Sequence, residues 1–116
     1  MPSKSFKISN PGNIRFGKWA AARGAVDSDG FAKWATAIEG TAALLALLAG
    51  NGYRNLDLTG VFLRYAPAAD NNRPREYAAY VAQRAGVPLD MMLADMDPVQ
   101  VLRVAEAITR FEGWKS

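Results

Sequence analysis

The side chains of this chain that can do chemistry are almost all carboxylates. Its 116 residues include 11 aspartates and glutamates and no histidine, and they include no cysteine. Serine triads with a histidine base, cysteine peptidases and zinc amidases with histidine ligands need side chains that are missing. Disulfides and most structural zinc sites go with them. No metal and no cofactor is expected. What remains is carboxylate chemistry, lysine chemistry or a role that breaks no bond.

Most of the acids have a local explanation. Glu39 and Asp97 stand at helix caps, Asp27, Asp29, Asp57 and Asp70 stand in turns, and Glu106 falls on an exposed helical face. Glu112 differs. At about 100° per residue, Val101, Val104, Ala105, Ile108 and Phe111 form one apolar stripe. Glu112 continues that stripe, while Arg103, Glu106 and Arg110 point the other way. A carboxylate in such a position is partly desolvated, which raises its pKa toward the range of a general acid. The competing reading is a frayed C-terminal turn from which Glu112 simply reaches water.

The elements that must position these residues are mainly helices. Asn10-Pro11-Gly12-Asn13 has the chemistry of a tight type II turn, and Trp19 to Arg23 is a short amphipathic stretch. Asp27-Ser28-Asp29-Gly30 is a second turn, followed by alternation over Phe31-Ala32-Lys33-Trp34 that predicts a very short strand. Thr36-Ala37-Ile38-Glu39 matches a capping box and opens a helix that ends at Gly50. That helix is apolar on nearly every face, which predicts that the others surround it. Thr59 is expected to cap a helix from Gly60 to Tyr65, stopped by Pro67. A helix from Pro74 to Ala85 closes at Gly86 with Tyr77, Tyr80 and Val81 inward, and Pro88 to Leu93 forms a helical turn or two. Asp97-Pro98-Val99-Gln100 caps the last helix, which runs to about Glu112. The expected fold class is all-α, with a small irregular or hairpin-like N-terminal lobe, as one domain over residues 1–116 and an extended or flexible arm over 1–9.

Charge and surface chemistry narrow the partners. The net charge is +3, and Lys4, Lys7, Arg15, Lys18 and Arg23 all precede the first acid, Asp27. Such a patch favours polyanions without choosing among them, and it also serves as a solubilising surface. No phosphate-binding glycine loop or nucleic-acid fold signature accompanies it, so nucleic acid is disfavoured as a partner. Phe16, Trp19, Phe31, Trp34, Tyr53, Tyr65 and Trp114 are aromatics suited either to a sugar groove or to the core. Asn10, Asn13, Asn71 and Asn72 are loop amides suited to acetamido sugars or to turn formation. The apolar run Ala42 to Ala49 is far shorter than the roughly 20 residues of a membrane span. The first ten residues lack the apolar core of a signal peptide.

Several of these residues also carry a resemblance. Asn10-Pro11-Gly12-Asn13-Ile14-Arg15, Gly30-Phe31-Ala32-Lys33-Trp34, Arg64-Tyr65-Ala66-Pro67 with Asn71 and Tyr77, Ala107-Ile108 and Glu112-Gly113 occur in the order of a small virion structural protein family of tailed phages and prophages. The chain resembles that family from about Asn10 to Gly113. Its first half is also similar to the region after the catalytic glutamate in glucosaminidase and lytic-transglycosylase domains, which implies a lysozyme-like fold around the central apolar helix. In those enzymes the helix bearing the acid precedes the asparagine-rich turn, whereas here only nine residues do. The last helix takes that place if the order is circularly permuted.

The resemblance implies a phage-derived domain that cleaves peptidoglycan glycan strands, with Glu112 as general acid and base. Asn10, Asn13, Arg15, Tyr65 and Asn71 would contact the substrate. The partners implied are peptidoglycan or another anionic polymer and other virion proteins. The location implied is the virion, or the bacterial cytoplasm before release. The alternative is a non-catalytic virion structural or glycan-binding module. A lytic transglycosylase needs one carboxyl group, whereas an ordinary hydrolase needs a second at roughly 5–9.5 Å that the sequence does not identify.

Overall fold

The computed structural model describes residues 10, 12, 14–65 and 73–112. The arm expected over residues 1–9, Pro11 and Asn13 of the first turn, the loop holding Asp70, Asn71 and Asn72, the stop at Pro67, and Gly113 and Trp114 lie outside the described residues. The chain is mainly helical with one small two-stranded sheet. The elements in order are α1 (Lys18–Ala21), β1 (Val26–Ser28), β2 (Phe31–Lys33), α2 (Ala37–Ala49), α3 (Leu58–Tyr65), α4 (Pro74–Ala85), a 3-10 turn (Leu93–Asp95) and α5 (Pro98–Phe111).

Two compact units divide the chain. One joins the residues up to Ala46 with those from Ile108 onward, and the other is Leu47–Ala107. Both α2 and α5 contribute residues to each unit.

In the first unit β1 and β2 form an antiparallel hairpin with Val26 opposite Lys33 and Ser28 opposite Phe31. Its two-residue loop has Asp29 at φ 52° and Gly30 at φ 87°. Positive φ at both central residues is the type I′ turn whose twist suits a tight hairpin, and Asp-Gly is among the sequences that adopt it most readily. The Asp27 carboxylate accepts the Gly30 N–H at 2.9 Å and braces the turn. The single short strand expected at Phe31 is thus one arm of a hairpin. Its partner was hidden because Val26-Asp27-Ser28 shows little strand signal by itself.

α2 begins with half of the expected capping box: the Thr36 hydroxyl accepts the Glu39 N–H at 3.2 Å, but the Glu39 carboxylate makes no return bond to the Thr36 N–H. The expectation that α2 is surrounded on all sides needs correction. Ala43, Leu44 and Leu48 are buried, but Leu45, Ala46 and Leu47 are half-buried and Ile38 is 82% exposed. Alanine is the strongest helix former and tolerates water, so an Ala-rich helix reads as more buried than it is.

In the second unit α3 packs against α4. Phe62 stacks on Tyr77 with ring centroids 4.1 Å apart and planes 15° apart. Leu58, Val61, Phe62, Tyr77, Ala78, Val81, Ala82 and Ala85 are buried. Tyr80, expected inside, is half-buried, with the Arg84 guanidinium 5.8 Å above its ring. α4 stops at Gly86, whose φ of 69° and N–H bond to the Ala82 carbonyl make a left-handed cap. The helical turn expected over Pro88 to Leu93 falls later, at Leu93–Asp95. There, backbone pairing of Leu93 and Ala94 with Leu56 and Arg54 outweighs local propensity. α5 carries a complete capping box, in which Gln100 N–H donates to the Asp97 carboxylate at 2.8 Å and Asp97 N–H to the Gln100 side chain at 2.9 Å. Among the described residues no helix is long and apolar enough to cross a membrane.

Candidate functional site

The N-terminal turn is organised by Asn10. Its side chain is fully buried, with the amide NH2 donating to the carbonyls of Ile14 at 2.8 Å and Ala32 at 2.9 Å, while its carbonyl accepts the Ile14 N–H at 2.9 Å. Both ends of the amide are used inside the protein. Asn10 therefore ties the first turn to β2, and the substrate contact expected of it is reassigned to scaffold. A buried polar group keeps its place only when so satisfied.

That tie extends the hairpin. Ala32 N–H donates to the Ile14 carbonyl and Phe16 N–H to the Gly30 carbonyl, both at 2.9 Å, so Ile14 to Phe16 runs beside β2 with Arg15 opposite Phe31. Alternation along a strand puts Arg15, Phe31, Lys33 and Val26 on one face and Ile14 and Ala32 on the other. The second pair is buried, whereas Arg15, Lys33 and Val26 are exposed and Phe31 is half-buried. The Arg15 guanidinium lies 5.1 Å from the Phe31 ring centroid. Nearby in sequence, Arg23 lies 4.0 Å from the Trp19 ring centroid. The Trp34 indole donates to the Arg23 carbonyl at 3.0 Å. Part of the N-terminal basic patch is thus held against aromatic rings.

Glu112 is in the turn that closes α5. Its N–H donates to the Ile108 carbonyl at 3.0 Å, and the residue is half-buried. The expected stripe leading to it is correct at Val104, Ala105 and Ile108, which are buried. It is looser than expected at Val101, which is half-buried, and at Phe111, which is 41% exposed. Glu112 belongs to the same compact unit as Asn10, Arg15 and the hairpin. Apart from Asp57, the other described acids are exposed. Asp57 is half-buried and capped onto α3, where its carboxylate accepts the Gly60 N–H at 2.9 Å. Among the described residues no three acids cluster closely enough to hold a metal ion.

Tyr65 lies in the other unit, half-buried at the end of α3. Its ring meets Tyr53, Phe62 and Tyr77 edge-on, at centroid distances of 6.2, 6.0 and 6.4 Å. It therefore has an aromatic packing role irrespective of any ligand. Burial raises the pKa of the neighbouring Tyr53 hydroxyl above its usual 10.0, with the Arg64 guanidinium pulling in the opposite direction. Asn13 and Asn71, the other expected contacts, lie outside the described residues.

The second unit also contains a feature with no local sequence signal. Backbone bonds from Ala94 N–H to the Arg54 carbonyl at 2.7 Å and from Leu93 N–H to the Leu56 carbonyl at 3.1 Å zip two distant segments together. Beside this strip is a cleft of about 280 Å³ lined by Leu48, Ala49, Arg54, Leu93, Ala94 and Val101. None of the candidate site residues Asn10, Arg15, Tyr65 and Glu112 lines it.

No protein-family model matches the chain, and no curated protein matches it.

Proposed function

We propose that the chain is a phage-derived, lysozyme-like module that acts on peptidoglycan glycan strands, with Glu112 as its general acid and base. One observation carries this reading: the end of the last helix, with Glu112, belongs to the same compact unit as the Asn10 to Arg15 segment and the hairpin. A permuted glycosidase requires that return of the C-terminal helix to the N-terminal turn. Glu112 is half-buried in the turn that closes α5. In a transglycosylase cycle Glu112 gives its proton to the glycosidic oxygen as the bond to the anomeric carbon breaks. The resulting carboxylate then takes a proton from a hydroxyl of the same sugar as that oxygen attacks the anomeric carbon. One carboxyl group suffices and no water is consumed.

Clearing of purified cell walls tests this. The wild type should lower turbidity and release non-reducing products. Glu112→Gln should be slower by about 10²–10⁴-fold at unchanged circular dichroism. An inactive wild type, or a Glu112→Gln variant with full activity, would refute the catalytic role.

A second reading, a non-catalytic virion structural or glycan-binding module, is favoured by the exposed face formed by Arg15, Phe31 and Lys33. Two cations beside an aromatic ring suit an anionic glycan or an acidic virion partner. On this reading, cosedimentation with cell walls survives Glu112→Gln, weakens with added salt and drops in Arg15→Gln combined with Lys33→Gln.

A further inference from the structure

The cleft in the second unit joins an apolar lining to one cation. Leu48 and Leu93 are buried at 1% and 4% exposure, Val101 is half-buried, and Ala49 and Ala94 are exposed. Arg54 is exposed too. Its backbone is fixed from both directions, by its N–H to the Gly50 carbonyl at 3.0 Å and by its carbonyl to Ala94 N–H. Its guanidinium makes no hydrogen bond, ion pair or ring contact with any described residue. In this respect it differs from Arg15, Arg23, Arg64, Arg73 and Arg84, which are engaged with rings, a carbonyl or a carboxylate. A guanidinium is planar, permanently charged and suited to bidentate contact with a carboxylate. At about 280 Å³ the space is close to the lower end of small-molecule sites.

We propose that this cleft binds a small amphipathic monocarboxylate, with the apolar group against Leu48, Leu93 and Val101 and the carboxylate on Arg54. The ligand chemistry is an aliphatic tail or side chain a few carbons long next to one carboxylate. A free medium-chain fatty acid and a peptide C-terminus ending in an apolar residue both provide it. The site uses residues of Leu47–Ala107 alone and does not depend on the glycan reading.

Amide-detected NMR titration of the full chain tests the proposal with four probes: octanoate, octanamide, N-acetyl-alanyl-leucine and its C-terminal amide. Binding of a carboxylate should shift the Ala49, Leu93 and Ala94 resonances. The matching amide should bind at least about tenfold more weakly, since a hydrogen-bonded charge contributes a factor of that size or more. Arg54→Gln should remove the preference for acid over amide, and Ala94→Phe, which fills the cleft, should weaken binding of every probe. Both positions are exposed, so the fold should survive either change. Stronger binding of octanoate than of the dipeptide assigns a free carboxylate, and the reverse assigns a chain terminus. The proposal fails if the wild type binds neither carboxylate, if acid and amide bind equally, or if the shifts fall outside the cleft.

Discussion

At the scale of single residues, Asn10 and Tyr53 show most clearly how burial decides the role of a polar side chain. Asn10 satisfies three backbone groups from two segments far apart in sequence. Truncating it leaves the Ile14 N–H and the Ile14 and Ala32 carbonyls without those partners, each in a buried setting that penalises the loss. Asn10→Ala should therefore cost about 2–4 kcal/mol in urea unfolding, well beyond a surface turn substitution. A cost below about 0.5 kcal/mol would show that water replaces the amide. Tyr53 provides a pH test. Its hydroxyl holds its proton more tightly folded than unfolded because burial disfavours the phenolate. The associated stability is fully present below the unfolded value near 10.0 and is lost as pH rises through the higher folded value. Unfolding free energy measured from pH 9 upward should fall more steeply for wild type than for Tyr53→Phe. Equal slopes would exclude Tyr53 as a contributor.

At the scale of elements, caps decide where helices begin. α3 is capped by Asp57 and not by Thr59: the Asp57 carboxylate takes the Gly60 N–H and its carbonyl the Val61 N–H at 2.8 Å. Asp and Thr are both good caps, so sequence alone offers two starts two residues apart. The bridge pairing Asp57 with Met92 favours the earlier one by holding Asp57 outside the helix, just before its first turn. Asp57→Ala should cost about 0.5–2 kcal/mol in thermal or chemical unfolding, and Thr59→Ala less than about 0.5. A larger cost at Thr59 would return the cap to the later position. The Asp97 and Gln100 box was legible because its partners lie within one turn of each other, with Pro98 between them at the first helical position.

At the scale of the whole molecule, the residues before Leu47 and those from Ile108 fall in one compact unit while Leu47–Ala107 forms another. Burial also varies within one unit, because successive residues of a helix point about 100° apart. Leu44 is fully buried and Leu45 only half, although the two are neighbours in the same Ala/Leu run. Leu44→Ala should cost about 2–5 kcal/mol and Leu45→Ala about 1, measured by urea unfolding of each variant. Equal large costs would mean that α2 is enclosed on all sides after all.

What the sequence determined by itself was local. The hydroxyl cap at Thr36, the capping box at Asp97, the left-handed stop at Gly86 and the turn at Asp27 to Gly30 each depend on groups within a few residues, so their chemistry is written in consecutive letters. The mainly helical class follows from the same signals. Only tertiary structure decided which polar groups are enclosed and which distant segments become neighbours. Nothing around Asn10 reveals that Ala32 will accept its amide, and nothing around Arg54 reveals that Leu93 and Ala94 will come to lie against it. The physical reason is that an amide or a guanidinium has the same hydrogen-bonding capacity wherever it occurs. Burial and long-range pairing determine whether that capacity is used within the fold or remains available to a ligand.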